Sequence, residues 1–427
     1  MSAAGPIALT GATLIDGTGA APVAGATVVV EGRTIARVGP VPEVPIPDGA
    51  TVYDLAGQTL MPGLIDGHVH LLSYAGEGFR DIHLWNVLTF IEEQTLHAAA
   101  NARKALLAGV TTVRDMAGSR PEIAVKHAVD QGVVDGARVV ASGFVGMTAG
   151  HGDLFCPANI ERRPWRPADG PDECRKLIRE YARDGVDFIK LCTSGGVLSI
   201  GDENEWRNYT MAETQAIVDE AHALGKRVAA HAHTRAGIRQ ALEAGVDTLE
   251  HGSQLDDELV ELLLARGAWL CPTLAITEYL LTAGEARGVP AASLAKARAL
   301  RPGQLAGIRK AYEAGVPLFA GTDSCNTFPF GAHAWELELL HRDIGLTPLE
   351  AVVAATATAA AALGLGDKTG TIEAGKWADL LVVDGDPLAD LAILRNPRRL
   401  LGVFRDGRPL VDRGLRRASC ELIVESR

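Results

Sequence analysis

No apolar run in this 427-residue chain approaches the ~20 residues that a membrane-spanning helix requires. Positive charge is also short. Forty-one Lys and Arg stand against 53 Asp and Glu, a net charge of −12, which argues against nucleic acid or an anionic membrane surface as the partner. The six cysteines (156, 174, 192, 271, 325 and 420) form no C-x-x-C pair and follow no regular spacing, so reduced thiols are expected rather than a disulfide framework. The opening stretch MSAAGPIALTGATLIDG has no basic n-region followed by an apolar h-region, and a cytoplasmic protein is the expectation. No glycine-rich G-x-G-x-x-G turn follows the first candidate strand, which weighs against a doubly wound dinucleotide-binding sheet.

What is present is an ordinary globular composition, 47% hydrophobic and 22% charged, organised by a weak internal repeat. KALLAGVTTV (104–113), YARDGVDFIK (181–190), ALEAGVDTLE (241–250) and AYEAGVPLFA (311–320) share one plan: a helix-forming segment, a glycine, then a β-branched apolar run. The glycine suits the left-handed position that closes a helix. Helices are predicted at roughly 95–108, 171–184, 211–224, 235–244 and 292–314. Strands are predicted at 64–70, 111–116, 137–143, 188–192, 227–233, 248–252, 268–274 and 317–323. Eight strands alternating with helices imply a parallel α/β architecture closed as a (β/α)8 TIM barrel over residues 61–362.

The ends differ. Residues 1–60 and 363–427 read as short alternating strands with E-G, D-G and A-G turns, as hairpins do. Neither holds enough strand for its own core, so together they are expected to build one small β-sandwich with the barrel inserted between its halves.

Chemistry-bearing residues fall where strands give way to loops. His68 and His70, two apart in LIDGHVH, face the same side of a strand. Lys190, His231, His251 and Asp323 end four further strands. In a (β/α)8 barrel functional groups occupy the C-terminal strand ends. Imidazole and carboxylate donors there suit zinc or a similar divalent metal. The lysine is the odd member, since an ammonium cannot ligate unless carbon dioxide converts it to an anionic carbamate. A lone H-V-H pair is more often a capping or surface pair; the four partners on other strands make the metal reading stronger. Cys192, Cys271 and Cys325, also near strand ends, read as small packing residues.

The motifs LMPGLIDGHVHL, DFIKL, HAHT, TLEHG and GTD, with the terminal stretch GKWADLLVVDGDPL, resemble the amidohydrolase superfamily over nearly the whole chain. The branch most similar holds Xaa-Pro dipeptidases, N-acyl-amino-acid hydrolases and ochratoxinase-like enzymes. The resemblance implies two divalent metal ions, expected to be zinc. His68 and His70 would bind the first, His231 and His251 the second, with a carbamylated Lys190 bridging. It places Asp323 on the first metal and on a bridging hydroxide, where the carboxylate can act as general acid–base. His233, two residues after His231, is expected to donate a hydrogen bond to the substrate carbonyl. His151 and Tyr209 are expected substrate contacts, with Trp206 beside them at the mouth. The implied activity is hydrolysis of an amide C–N bond in a dipeptide, N-acyl amino acid or ochratoxin-type amide, by a homo-oligomer.

The alternative is a mononuclear deaminase or cyclic amide or amidine hydrolase of the same superfamily. Such deaminases carry a glutamate three residues after the strand-five histidine, where this chain has Thr234, and strand four here offers a lysine. Both points favour the amide hydrolase. A catalytically silent scaffold on this fold would have lost ligands, whereas all six are present.

Overall fold

A computed structural model of the chain describes residues 5–41, 43–76, 82–156, 159, 165–199 and 201–417. The N-terminal strands are β1 (Ile7–Leu14), β2 (Val23–Glu31), β3 (Thr34–Pro40), β4 (Thr51–Asp54) and β5 (Thr59–Pro62). Seven more follow: β6 (Leu64–Val69), β7 (Val110–Asp115), β8 (Arg138–Phe144), β9 (Phe188–Cys192), β10 (Arg227–Ala232), β11 (Thr248–His251) and β12 (Trp269–Cys271). The C-terminal part adds β13 (Leu380–Val383), β14 (Leu400–Arg405), β15 (Arg408–Asp412) and β16 (Arg416–Arg417).

Strands β6 to β12 are hydrogen-bonded in sequence order, all parallel, with at least one helix between each consecutive pair. The helices Pro171–Asp184, Met211–Ala223 and Arg235–Ala244 fall where the periodicity predicts them. Gly185 and Gly245 close two of these helices at φ 92° and 93°, the left-handed conformation that the repeat requires of its glycine.

The eighth expected strand departs from the pattern. Residues 317–324 form no ladder, yet they fill the gap between β12 and β6. Phe319 N–H donates to Leu270 O at 3.0 Å on one side, and Gly67 N–H to Ala320 O at 2.9 Å on the other. Asp323 N–H also donates to His68 O at 2.7 Å. Pro317 has no N–H to give, and Asp323 turns the backbone to φ 58°, so a regular ladder cannot propagate there.

The two chain ends meet in a single sheet. β5 pairs antiparallel with β13, register Leu60↔Val382, which ties the N-terminal strands to the C-terminal ones in a nine-stranded sheet. The sheet branches at β1, which pairs first with β4 and then with β5. Side-chain alternation on β13 shows how it is buried: Leu380 and Val382 pack with Leu9, Leu60 and Phe404 on one face. Leu381 and Val383 face the other way and join the large barrel core. The five described cysteines are free thiols, and Cys420 lies outside the described residues. No helix among the described residues is long and apolar enough to cross a membrane.

Candidate metal centre

The C-terminal strand ends open into a cavity of about 1040 Å3, at the upper end of the size of small-molecule sites. His68, His70, Lys190, His231, His233, His251 and Asp323 all line it. Two sets of ligand atoms, His68–His70–Asp323 and His231–His233–His251, each gather within 4.8 Å. The sets adjoin: the rings of His68 and His251 lie 5.1 Å apart, and those of His231 and His251 4.5 Å apart. The expected six-residue constellation is therefore assembled in one place.

Four of the five imidazoles, all but His70, are aimed by a partner on one ring nitrogen. His68 Nδ1 lies 2.9 Å from Glu250 Oε2, and His251 Nδ1 lies 2.7 Å from Thr273 Oγ1. His231 Nε2 donates to Gly195 O at 3.2 Å, and His233 Nδ1 is 2.8 Å from Ser253 Oγ. One ring nitrogen is thus occupied and the other left for a ligand, as in metal sites whose histidines are held from behind. Burial pushes the imidazoles of His68, His231 and His251 below their usual range, and the Lys190 charge adds to this. His233 falls to about 3, again chiefly by burial and then by His151. Neutral imidazole is the form that binds metal.

Asp323 Oδ1 stands 3.0 Å from His70 Nε2 and 3.6 Å from His68 Nε2. Burial alone would raise this carboxyl, but His68, His70 and Lys190 together hold it below its ordinary value. Lys190 is 2% exposed, and its Nζ makes no hydrogen bond or ion pair among the described residues. A buried ammonium without a partner is costly, whereas a carbamate carboxylate between two cations would be compensated. The donor set therefore fits a pair of divalent ions.

Three of the five described non-glycine residues with positive φ belong to the site: His251 (72°), Thr273 (51°) and Asp323 (58°). Strained backbone concentrates where side-chain placement matters. Its effect is visible on β11. Neighbours on a strand face opposite ways, yet Glu250 and His251 both face the interior, because His251 turns out of the extended conformation.

Sequence reasoning missed the layer beneath the ligands. Arg114 reaches from β7 to donate Nη2 to Glu250 Oε1 at 2.7 Å and Nε to Gly67 O at 2.6 Å. Asp66 accepts from the N–H groups of His68 and Thr322 and lies 2.6 Å from His333 Nδ1, fixing the Asp323 segment to β6. Asp66 sits mid-strand in β6 and Arg114 is a buried charge near the end of β7, and a charge within a predicted buried strand was the available signal.

Of the expected substrate contacts, His151 lines the cavity, its ring stacked 4.5 Å from that of His231. Its Nδ1 lies 2.8 Å from Ser199 Oγ, which donates to Asp202 Oδ1, and Lys296 Nζ holds Asp202 Oδ1 at 3.0 Å. Tyr209 is a correction: it is fully buried in the core, its hydroxyl donates to Val145 O at 2.9 Å, and it does not line the cavity. Apolar contacts from its own helix–strand layer claim it before the loop can present it. Trp206 is half-exposed and likewise outside the lining. Thr234 accepts from Gly237 N–H at 3.2 Å as the N-cap of the helix Arg235–Ala244, a structural duty.

The amidohydrolase family model matches residues 59–410. Ochratoxinase of Aspergillus niger is 34% identical over 415 residues, covering 92% of this chain and 84% of that protein. Among solved structures, a Xaa-Pro dipeptidase with bound methionine superposes with a TM-score of 0.83 at 29% identity, covering 94% of this chain and 99% of that one. A prolidase complexed with N-methylphosphonate-L-proline gives 0.88 at 30% identity, covering 96% and 100%. With its strand-end histidines, lysine and aspartate on one cavity wall, this chain belongs to the amidohydrolase family and is a hydrolytic enzyme of the branch that includes ochratoxinase and the Xaa-Pro dipeptidases.

Proposed function

We propose that the protein is a binuclear, zinc-dependent amidohydrolase that cleaves the amide C–N bond of a dipeptide, N-acyl amino acid or ochratoxin-type amide. The carrying observation is the buried, unpartnered Lys190, whose charge acts on His68 of one set and on His231 and His251 of the other, which suits a carbamate shared by two ions. His68, His70 and Asp323 would hold one ion and His231 and His251 the other, within a barrel unit of residues 61–362 flanked by 1–60 and 363–427. When bound, the ions supply a water of lowered pKa and a Lewis acid for the carbonyl.

The chain's own groups then divide the work. Asp323, depressed and therefore ionised, accepts the proton of the attacking water and returns it to the leaving nitrogen. His233 is neutral; with the Ser253 hydroxyl donating to its Nδ1, its Nε2–H is free to donate to the carbonyl oxygen as charge develops there. Phe144, Phe155, Trp165, Ile276 and Leu280 wall the cavity, and Leu88 and Phe90 are strongly exposed at its mouth. Such walls suit a bulky apolar acyl or amino-acid side chain.

The test is metal analysis followed by a screen of dipeptides and N-acyl amino acids with zinc-loaded protein. About two ions per chain and amide cleavage are expected. One ion per chain with turnover only on cyclic amides or amines would replace this reading by the mononuclear one.

A further inference from the structure

A second cavity, of about 940 Å3, opens at the opposite end of the barrel, between the strand beginnings and the flanking sheet. Arg138, Phe188, Arg227 and Thr248, which start β8 to β11, form one side, and Trp377, Arg405 and Asp406 form the other. Eight Lys and Arg side chains line it against three Asp among the described residues. In a chain of net charge −12, this concentration is not a consequence of composition.

Part of the positive charge is neutralised within the seam. Arg138 pairs with Asp379 at 2.6 Å and with Asp406 at 2.8 Å, and Arg33 pairs with Asp406 at 2.7 Å. Lys126 pairs with Asp187 at 3.2 Å, Arg114 with Glu250 at 2.7 Å and Arg408, more loosely, with Asp135 at 3.9 Å. Arg227 and Lys368 have no carboxylate partner among the described residues, and Arg405 is only partly satisfied. Arg227 donates only to the carbonyls of Ala361 and Ala362, at 2.9 and 2.7 Å. Lys368 makes no ion pair among the described residues and sits 5.5 Å from the Trp377 ring, which Arg33 and Arg138 also approach at 4.5 and 4.3 Å. Arg405 is 4% exposed, spends both terminal nitrogens on the carbonyls of Gly136 and Val129, and leaves Nε without a hydrogen-bond partner. Asp406 Oδ2, at 3.7 Å, is too far to serve it.

From this we infer that the lower cavity is a binding site for a compact multivalent oxyanion, a phosphate ester or a polycarboxylate. Guanidinium forks match the planar or tetrahedral edges of such groups, and an anion here would join the unpaired Arg227 and Lys368 to the unsatisfied Arg405 Nε. Access is open, because Arg227 and Lys368 are exposed at the rim. The site is separate from the metal cavity and does not depend on the amidohydrolase reaction proposed above. Arg114 is the only charged residue of this lining that reaches the Glu250 layer beneath His68.

Calorimetric titration of the full-length metallated protein with inorganic phosphate, and separately with succinate, tests this at constant ionic strength. Neither probe strips metal as pyrophosphate or citrate would. Saturable one-site binding is expected for at least one of them. In Arg227→Gln/Lys368→Gln the affinity should fall about tenfold or more, with metal content unchanged. Tighter phosphate than succinate assigns a phosphate ester, and the reverse assigns a polycarboxylate. Lys368→Gln alone, at an exposed position, should show a smaller loss in the same direction and serves if the double variant does not fold. No saturable binding at millimolar concentrations, or equal affinity in the variants and the parent, would overturn the assignment.

Discussion

Glu250 Oε2 lies 2.9 Å from Nδ1 of His68, and its other oxygen takes the Arg114 guanidinium at 2.7 Å. Burial would raise this carboxyl, but Arg114 first and then His68 bring it down to about 2, so it is ionised wherever the enzyme works. It therefore accepts the Nδ1 proton and fixes the His68 tautomer with Nε2 toward Asp323. Glu250→Gln keeps the shape and loses that preference. Metal affinity should fall about 10–100-fold, measured by competition with a chelator; unchanged affinity would remove Glu250 from the site's support.

Lys190→Ala should lose metal and activity together, with partial recovery when short carboxylic acids are added. The reason is that only an anionic group can stand between the two histidine sets. Metal per chain by elemental analysis checks it, and a fully metallated, active variant would refute the bridge.

Asp323→Asn keeps an oxygen donor and removes the basic carboxylate. A general acid–base contributes about 10²–10⁴-fold, so kcat should drop by at least that much with metal largely retained. Near-native turnover on a good amide substrate is the outcome that would exclude the proton-transfer role.

Gly196 lies against the ring of His151. A Cβ added there would come within 2.0 Å of Cε1 and 2.3 Å of Nδ1. Gly196→Ala should displace the imidazole without altering any charge, raising KM more than it lowers kcat, and leave metal content intact. If KM stays at the parent value, His151 is not a substrate contact.

Stability should carry the mark of Glu336. Burial pushes this carboxyl up to about 8, although it accepts the N–H groups of Leu274 and Ala275 at 2.9 and 2.7 Å. The folded value lies above the unfolded one, so the native state retains a proton that the unfolded chain releases. That contribution is complete below about pH 4.5 and is lost as pH rises through 8. Glu336→Gln should flatten the decline in Tm between pH 5 and 8 at fixed metal content. An identical slope in the variant would show that other groups set it.

The sequence by itself determined the parallel strand–helix alternation, the pairing of the two chain ends and the six strand-end residues. Hydrophobic period and chain position are local properties, and a barrel converts the end of each strand into a place on one rim. It did not determine that residues 317–324 close the barrel without a ladder, because Pro317 and the turned backbone at Asp323 matter only once β6 and β12 flank them. Tertiary structure alone sent Tyr209 into the core and brought Arg114 beneath Glu250, since both are settled by partners distant in sequence, Val145 and Thr248 among them. The basic lower cavity has the same origin: its cations come from both chain ends, three barrel strands and the helix Arg120–Asp130, and no single stretch of sequence displays their excess.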